Sequence, residues 1–146
     1  MALMYMKQDL LELQSGIIVH QVNCQKTMGA GLAKSLKKKY PKHYFEYLNT
    51  DQKLGNIVVT KITDCLFIVG LFGQYYYGRT PGTTYTNYRA FASGLSKIKR
   101  LQEETGLQVY MPDHIGCGLA NGNWDIIQKL ITDSNICVTI VQKEGK

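Results

Sequence analysis

The sequence contains no C-x-x-C pair, no low-complexity tract, no internal repeat and no charge-rich linker. None of its apolar runs approaches the ~18 to 20 residues that a helix needs to cross a bilayer. A membrane-spanning helix is therefore not expected, and no domain boundary suggests itself. The four cysteines, Cys24, Cys65, Cys117 and Cys137, stand far apart. That spacing offers neither a zinc knuckle nor a thioredoxin-type motif, and it is expected of reduced thiols in a cytoplasmic protein. The opening MALMYMKQDLLEL lacks a basic start followed by a long apolar stretch, so it is expected to be a mature first strand rather than a signal peptide.

What remains is an ordinary globular composition, with 45% hydrophobic and 19% charged residues in 146. That length fits one domain, residues 1–146, and leaves no room for a second catalytic domain. The formal charge of +6 favours a polyanionic partner, either a nucleotide or a nucleic acid. Much of the excess lies in Lys34, Lys37, Lys38 and Lys39. After the apolar Leu32, Ala33 and Leu36, helical spacing turns these lysines onto a solvated face. A nucleic-acid contact would require aromatic or Arg side chains converging beside them. A monomer is expected of a short chain with no coiled-coil pattern.

Apolar, β-branched runs predict strands over 3–7, 17–22, 57–62, 66–72, 108–111 and 136–141. Several of these runs are continuous rather than alternating, the pattern of strands buried on both faces beneath helices. Helical spacing predicts helices over 32–40, 42–49, 86–104 and 124–133. Pro41 separates the first two, Gly106 ends the third, and Asn121 or Asn123 caps the fourth. Alternation of the two element types predicts an α/β fold with parallel crossovers.

Two loops carry the chemical signal. From His20 to Pro41, HQVNCQKTMGAGLAKSLKKKYP takes a buried strand through Gly29, Ala30 and Gly31 into a helix. Glycine lets backbone amides approach a ligand closely, and the helix start adds positive partial charge, an arrangement suited to a diphosphate. It lacks the spacing of a dinucleotide fingerprint and the Gly-Lys-Ser/Thr of a P-loop. From Ile115 to Trp124, IGCGLANGNW repeats the pattern after another strand. Two such strand ends can face each other at the carboxyl edge of one sheet, where open α/β folds bind ligands. Between them lies the loop GQYYYGRTPGTT, residues 73–84, whose Tyr75, Tyr76 and Tyr77 suit either rim packing or ligand stacking.

Over nearly its whole length the chain resembles the macrodomain family, through KQDLLEL, IVHQVNC, GAGLA and IGCGLANGNW. The resemblance implies a three-layer α/β/α macrodomain with a central mixed, largely parallel sheet. Within the family, the pattern HQVNC, MGAG, YP and late GCGLA is most similar to small viral and microbial proteins that process ADP-ribose 1''-phosphate. That subgroup also contains the terminal ADP-ribose protein glycohydrolase and antitoxin macrodomains that remove ADP-ribose from DNA.

Carried over by position, the resemblance implies that Asp9, with Leu10 beside it, takes the adenine amino group, although Gln8 stands where the family usually has Gly. It implies that Asn23 holds the distal ribose hydroxyls, since an amide both donates and accepts. Gly29, Ala30, Gly31, Leu32, Gly116, Cys117, Gly118 and Leu119 would surround the two phosphates with backbone donors. Cys117 is then a small loop residue rather than a nucleophile, because no supported histidine is spaced to activate it. His20 becomes the candidate for proton transfer beside the ribose.

The expected ligand is ADP-ribose or ADP-ribose 1''-phosphate, and the expected reaction removes the 1''-phosphate without metal or cofactor. Asp113, His114 and Asp125 are the titratable residues near enough in sequence to be tested as the missing base. The terminal glycohydrolase uses a Lys after the fourth strand and an Asp soon after Gly-Cys-Gly-Leu. At the corresponding places stand Gly73, Gln74 and Ala120, and Asn123 replaces an acid common before the Trp. A covalent amine route is therefore not expected. The alternatives are an ADP-ribosyl hydrolase acting on protein or nucleic acid by another mechanism, a non-catalytic reader of ADP-ribose, and a nucleic-acid binder.

Overall fold

The computed structural model describes residues 3–143; Met1 and Ala2 of the opening segment lie outside the described residues. Six strands form one sheet: β1 (Met4–Lys7), β2 (Gly16–Val22), β3 (Ile57–Thr63), β4 (Leu66–Phe72), β5 (Val109–Pro112) and β6 (Val138–Gln142). Their spatial order is β1-β6-β5-β2-β4-β3, with β3 antiparallel to β4 and every other pairing parallel. The helices are α1 (Gly31–Lys39), α2 (Pro41–Leu48), α3 (Tyr88–Thr105) and α4 (Trp124–Asp133). No described helix is long and apolar enough to cross a membrane.

The central strand β2 explains the layering. Its Ile17 and Val19 pack with Phe91, Leu95 and Ile98 of α3 and Ile127 and Ile131 of α4. Ile18 turns the opposite way, to Leu36 of α1, and Val22 packs with Tyr47 of α2. Side chains alternate across a strand, so a run that is apolar at every position needs cover on both faces. Helices α3 and α4 cover one face and α1 and α2 the other, giving the expected three-layer α/β/α fold with a mixed, largely parallel sheet.

Local differences from the expected spans have local causes. Helix α3 begins at Tyr88 rather than Thr86 because the Asn87 side chain accepts from the Ala90 N–H and caps the helix. Helix α1 starts one residue early, at Gly31, and α2 starts on Pro41, whose fixed φ suits a first helical turn. Strand β6 starts at Val138 because the backbone of Cys137 is taken by the side chains of Gln102 and Gln108 rather than by a neighbouring strand. The opening MALMYMKQDLLEL is not strand throughout: β1 ends at Lys7, and Asp9 caps a short 3-10 turn at Leu10–Glu12 where extended backbone was expected.

With β2, β4 and β5 parallel, the loops that follow all three emerge at one edge. Loop 1 (residues 23–30), the tyrosine loop (73–84) and loop 2 (113–123) therefore surround one opening.

Candidate functional site

A cleft of about 450 Å³ opens at that edge. His20 to Asn23 lie at its base, Thr27 to Ala33 on one wall, and Asp113 to Gly116 with Gly118 to Ala120 on the other. Gln74, Tyr77, Gly78 and Arg79 of the tyrosine loop close the rim. The two glycine-rich segments thus come together. Asp9, Leu10 and Cys117 do not line the cleft.

Loop 1 ends at Ala30, which caps α1 with extended backbone and no side-chain hydrogen bond. Among the described residues, the N–H groups of Gly29, Ala30, Gly31 and Leu32 donate to no protein acceptor. On the facing wall the same is true of Gly116, Gly118 and Leu119, whereas the Cys117 N–H donates to the His114 carbonyl at 2.9 Å. Orphan amides at a helix start attract anions by donors and by dipole. Gly31 at φ +57° and Gly116 at φ +76° take left-handed conformations that a side chain would strain. Lys26, His114 and Asn121, also at positive φ, lie in the same two loops. Such backbone persists where surrounding contacts over-determine it.

The contacts that fix loop 1 converge on Asn23. Its Oδ1 accepts from the Gln25 N–H at 2.9 Å and from the Tyr47 hydroxyl at 2.8 Å, and its Nδ2 donates to the Thr27 carbonyl at 2.9 Å. One Nδ2 hydrogen is left for a ligand. The buried Tyr47 hydroxyl also lies 2.7 Å from the Asn23 carbonyl and accepts from the Thr27 N–H at 3.2 Å. Burial pushes that hydroxyl up to about 12, so it stays protonated. Loop 2 is fixed from the other face of β2. Gln21 Nε2 donates to Gln74 Oε1 at 2.8 Å and Thr86 Oγ1 at 3.0 Å, and Thr86 donates in turn to the Gly116 carbonyl at 2.6 Å.

His20 is 2% exposed and reaches His43 on α2, Nε2 to Nε2, at 2.8 Å. Burial and the facing His43 hold its pKa well below the ordinary 6.5. Burial likewise lowers His43 to about 4. Both rings are neutral at neutral pH. Loop 2 carries a second imidazole: His114 bonds Asp113 Oδ1 through Nδ1 at 2.9 Å and stacks on Trp124 at 4.9 Å between centroids. Asp113 Oδ2 accepts from Gln142 Nε2 at 3.1 Å.

Cys117 is pushed up to about 11 by burial and then by Asp113, and its Sγ faces the Ile115 carbonyl, so it is a thiol. Asp9 caps the 3-10 turn, its Oδ1 accepting from the Leu11 N–H at 2.9 Å, and Leu10 is buried against Ile18 and Leu36. Asn123 caps α4 by accepting from the Asp125 and Ile126 N–H groups. Asp125 does not line the cleft.

The sequence reading missed Gln21, His43, Tyr47, Arg79 and Thr86. His43 and Tyr47 carried a usable signal: they stand one helical turn apart on the buried face of α2, where polar atoms demand partners.

No family model matches the chain. An uncharacterized 17.5 kDa protein of the tk-vs intergenic region of Enterobacteria phage T4 is 30% identical across 99% of this chain and 98% of its own. The ADP-ribose glycohydrolase OARD1 of Bos taurus is 30% identical across 93% of this chain and 88% of its own. Among solved structures, a protein of unknown function from Bacteroides thetaiotaomicron superposes with a TM-score of 0.84 at 26% identity, covering 97% of this chain and 98% of that one. The macrodomain of Mycobacterium tuberculosis DarG gives 0.78 at 19% identity, covering 96% and 97%. Thermosipho africanus DarTG, solved in complex with ADP-ribose, gives 0.76 at 18% identity, covering 97% of this chain and 42% of that one. The last two likenesses concern the fold alone. Similarity to the glycohydrolase over nearly its full length, on the fold of solved macrodomains, identifies the chain as a member of the macrodomain family.

Proposed function

We propose that the cleft binds ADP-ribose and that the protein hydrolyses an ADP-ribose derivative, ADP-ribose 1''-phosphate, to ADP-ribose and inorganic phosphate. The observation that carries this reading is the pair of facing loops whose orphan amides point to a diphosphate. In the proposed pose, amides of Gly29, Ala30, Gly31 and Leu32 and of Gly116, Gly118 and Leu119 take the two phosphates. The free Nδ2 hydrogen of Asn23 meets the distal ribose, and the adenine end extends toward Asp9.

Among the described residues no lysine lines the cleft, which speaks against an amine-linked intermediate. Asp113 is the one carboxylate among the described lining residues, and it orients His114 through Nδ1. The His114 Nε2 is then free to take a proton from water as that water adds to phosphorus, and to return it to the 1'' oxygen as the bond from phosphorus to that oxygen breaks. His20, neutral and buried, hydrogen-bonds the ligand rather than acting as an acid. Much of a phosphoryl transfer can be carried by such positioning and charge stabilisation.

The test is phosphate release from ADP-ribose 1''-phosphate, with calorimetric titration of ADP-ribose in parallel. His114→Ala is expected to lower turnover by about 10²- to 10⁴-fold, the usual worth of a general base, while leaving ADP-ribose binding within a few-fold. Tight binding without phosphate release refutes the phosphatase assignment. A second reading, cleavage of ADP-ribose from a modified macromolecule, is favoured by the similarity to the bovine glycohydrolase. Release of ADP-ribose from modified peptide or DNA, with no phosphate released from the small substrate, selects it. Failure to bind ADP-ribose overturns both.

A further inference from the structure

Three polar side chains from three elements form a buried chain: His20 on β2, His43 on α2 and Thr60 on β3. His20 Nε2 lies 2.8 Å from His43 Nε2, and His43 Nδ1 lies 2.8 Å from Thr60 Oγ1. His43 and Thr60 are both 0% exposed. The free end of the chain is His20 Nδ1, which is buried and has no partner among the described residues. His20 itself lines the cleft.

We propose that Thr60 and His43 fix the direction of this chain, holding His20 as its Nδ1–H tautomer so that a neutral imidazole offers the cleft one N–H donor for a ligand oxygen. The direction follows from the hydroxyl at the closed end. Thr60 has one proton to place, and its hydroxyl has no partner other than His43 Nδ1 among the described residues. Leaving that proton unplaced in a dry interior costs about 1–3 kcal/mol, so Thr60 donates. His43, accepting at Nδ1 and neutral, carries its hydrogen on Nε2 and donates it to His20 Nε2. His20, accepting there and neutral, carries its hydrogen on Nδ1. The opposite direction strands the Thr60 proton and turns a bare lone pair to the cleft.

Chemically the difference is one of role. A neutral Nδ1–H donor stabilises charge on an oxygen without giving up its proton, which would leave an imidazolate. His43 and Thr60 are then positioning residues, acting through His20. The identity of the oxygen rests on the ADP-ribose reading; the tautomer does not.

Long-range proton–nitrogen correlation spectra of the ¹⁵N-labelled full chain test the tautomer directly, because only three histidines contribute. At pH 7 and without ligand, His20 is expected to be protonated at Nδ1 and His43 at Nε2. Protonation of His20 at Nε2 overturns the proposal. Thr60→Val keeps the shape and removes the directing donor, so the Nδ1–H signature of His20 is expected to diminish. Its persistence unchanged counts against the role given to Thr60. His43→Gln supplies an N–H toward His20 and an oxygen toward Thr60, and is expected to preserve the His20 signature. ADP-ribose affinity should fall about tenfold in Thr60→Val, the worth of one hydrogen bond, and stay within about twofold in His43→Gln. If added ADP-ribose leaves the His20 Nδ1–H resonance unmoved while the tautomer is as stated, the ligand reading fails and the tautomer assignment survives.

Discussion

Replacing Tyr47 by Phe deletes one oxygen atom and nothing else, yet that atom ties Asn23 at the start of loop 1 to Thr27 in its middle. The ring keeps its stack on Phe72, at 5.6 Å and 26°, so packing is unchanged. Asn23 Oδ1 keeps its bond from the Gln25 N–H. What is stranded is the Asn23 carbonyl and the Thr27 N–H, which lose contacts of 2.7 and 3.2 Å. A buried group left unsatisfied costs about 1–3 kcal/mol, and half-buried Thr27 can recover part of that from water, which puts the total near 2 kcal/mol. For a domain of this size each kcal/mol moves Tm by about 2–4 °C, so a fall of about 4–8 °C is expected. Urea and thermal unfolding of both proteins measure it, and calorimetry with ADP-ribose reports whether the loosened loop also weakens binding. A stability change below about 0.5 kcal/mol, the range of an ordinary surface substitution, refutes the assignment of Tyr47 as the tie of loop 1.

The glycines of loop 2 should separate sharply. A Cβ at Gly122 would sit 2.5 Å from the Gly116 carbonyl oxygen, a backbone atom that cannot turn aside, whereas one at Gly118 meets nothing within 4 Å. Gly122→Ala is expected to cost about 1–3 kcal/mol and to weaken ADP-ribose binding, with Gly118→Ala stable to within about 0.5 kcal/mol in the same unfolding assay. Asn123→Ala removes the oxygen that caps α4 and should destabilise by about 1 kcal/mol, read as a shifted urea midpoint at unchanged slope. Stability should also fall with acidification. The unfolded chain protonates both buried histidines near pH 6.5, while the folded chain leaves His43 neutral to about 4 and His20 neutral well below 6.5. The unfolded state therefore binds more protons below pH 6.5, and each histidine removes about 1.4 kcal/mol per pH unit there. A flat urea midpoint between pH 7 and pH 5 contradicts neutral burial of the pair.

Elements whose cause is local were legible in the sequence. Strands β2 and β4 announced themselves as continuous β-branched runs because both of their faces are covered. Pro41 and Gly106 marked helix boundaries because each restricts or permits a particular backbone angle, and Gly106 does take a left-handed φ of 71°. The glycine loops were legible for the same reason. Residues 86 and 87 were not: Thr86 fits a helical pattern, but it bridges to Gln74 and bonds the Gly116 carbonyl, so α3 waits for the Asn87 cap. The backbone of Thr86 bonds the Ala120 carbonyl and bridges to Gln74, both outside a local window. The expected role of Cys117 as a phosphate donor rested on its place between two glycines. Its amide instead closes a turn onto His114, which adjacency in sequence does not reveal.

The residues that hold the site share a property that was present in the sequence but needs a second step to use. His20 interrupts the apolar face of β2 that carries Ile18 and Val22, Thr60 interrupts β3 beside Val58, and His43 and Tyr47 interrupt the inward face of α2. Each alone is a polar group on a surface that must be buried, and a buried polar group without a partner is costly. Four such interruptions on three elements cannot be satisfied by water in a dry core. They must find partners on the protein, and that requirement selects a packing of α2 against β2 and β3 in which His43 lies between His20 and Thr60 and Tyr47 reaches Asn23. Replacing Thr60 and His43 together by Val and Leu tests whether polarity or shape fixes that packing. If shape suffices, the double variant folds and loses no more than the ~1–3 kcal/mol that His20 costs once its buried Nε2 is left without a partner. ADP-ribose binding should still fall, because His20 then faces the cleft without a partner to set its proton.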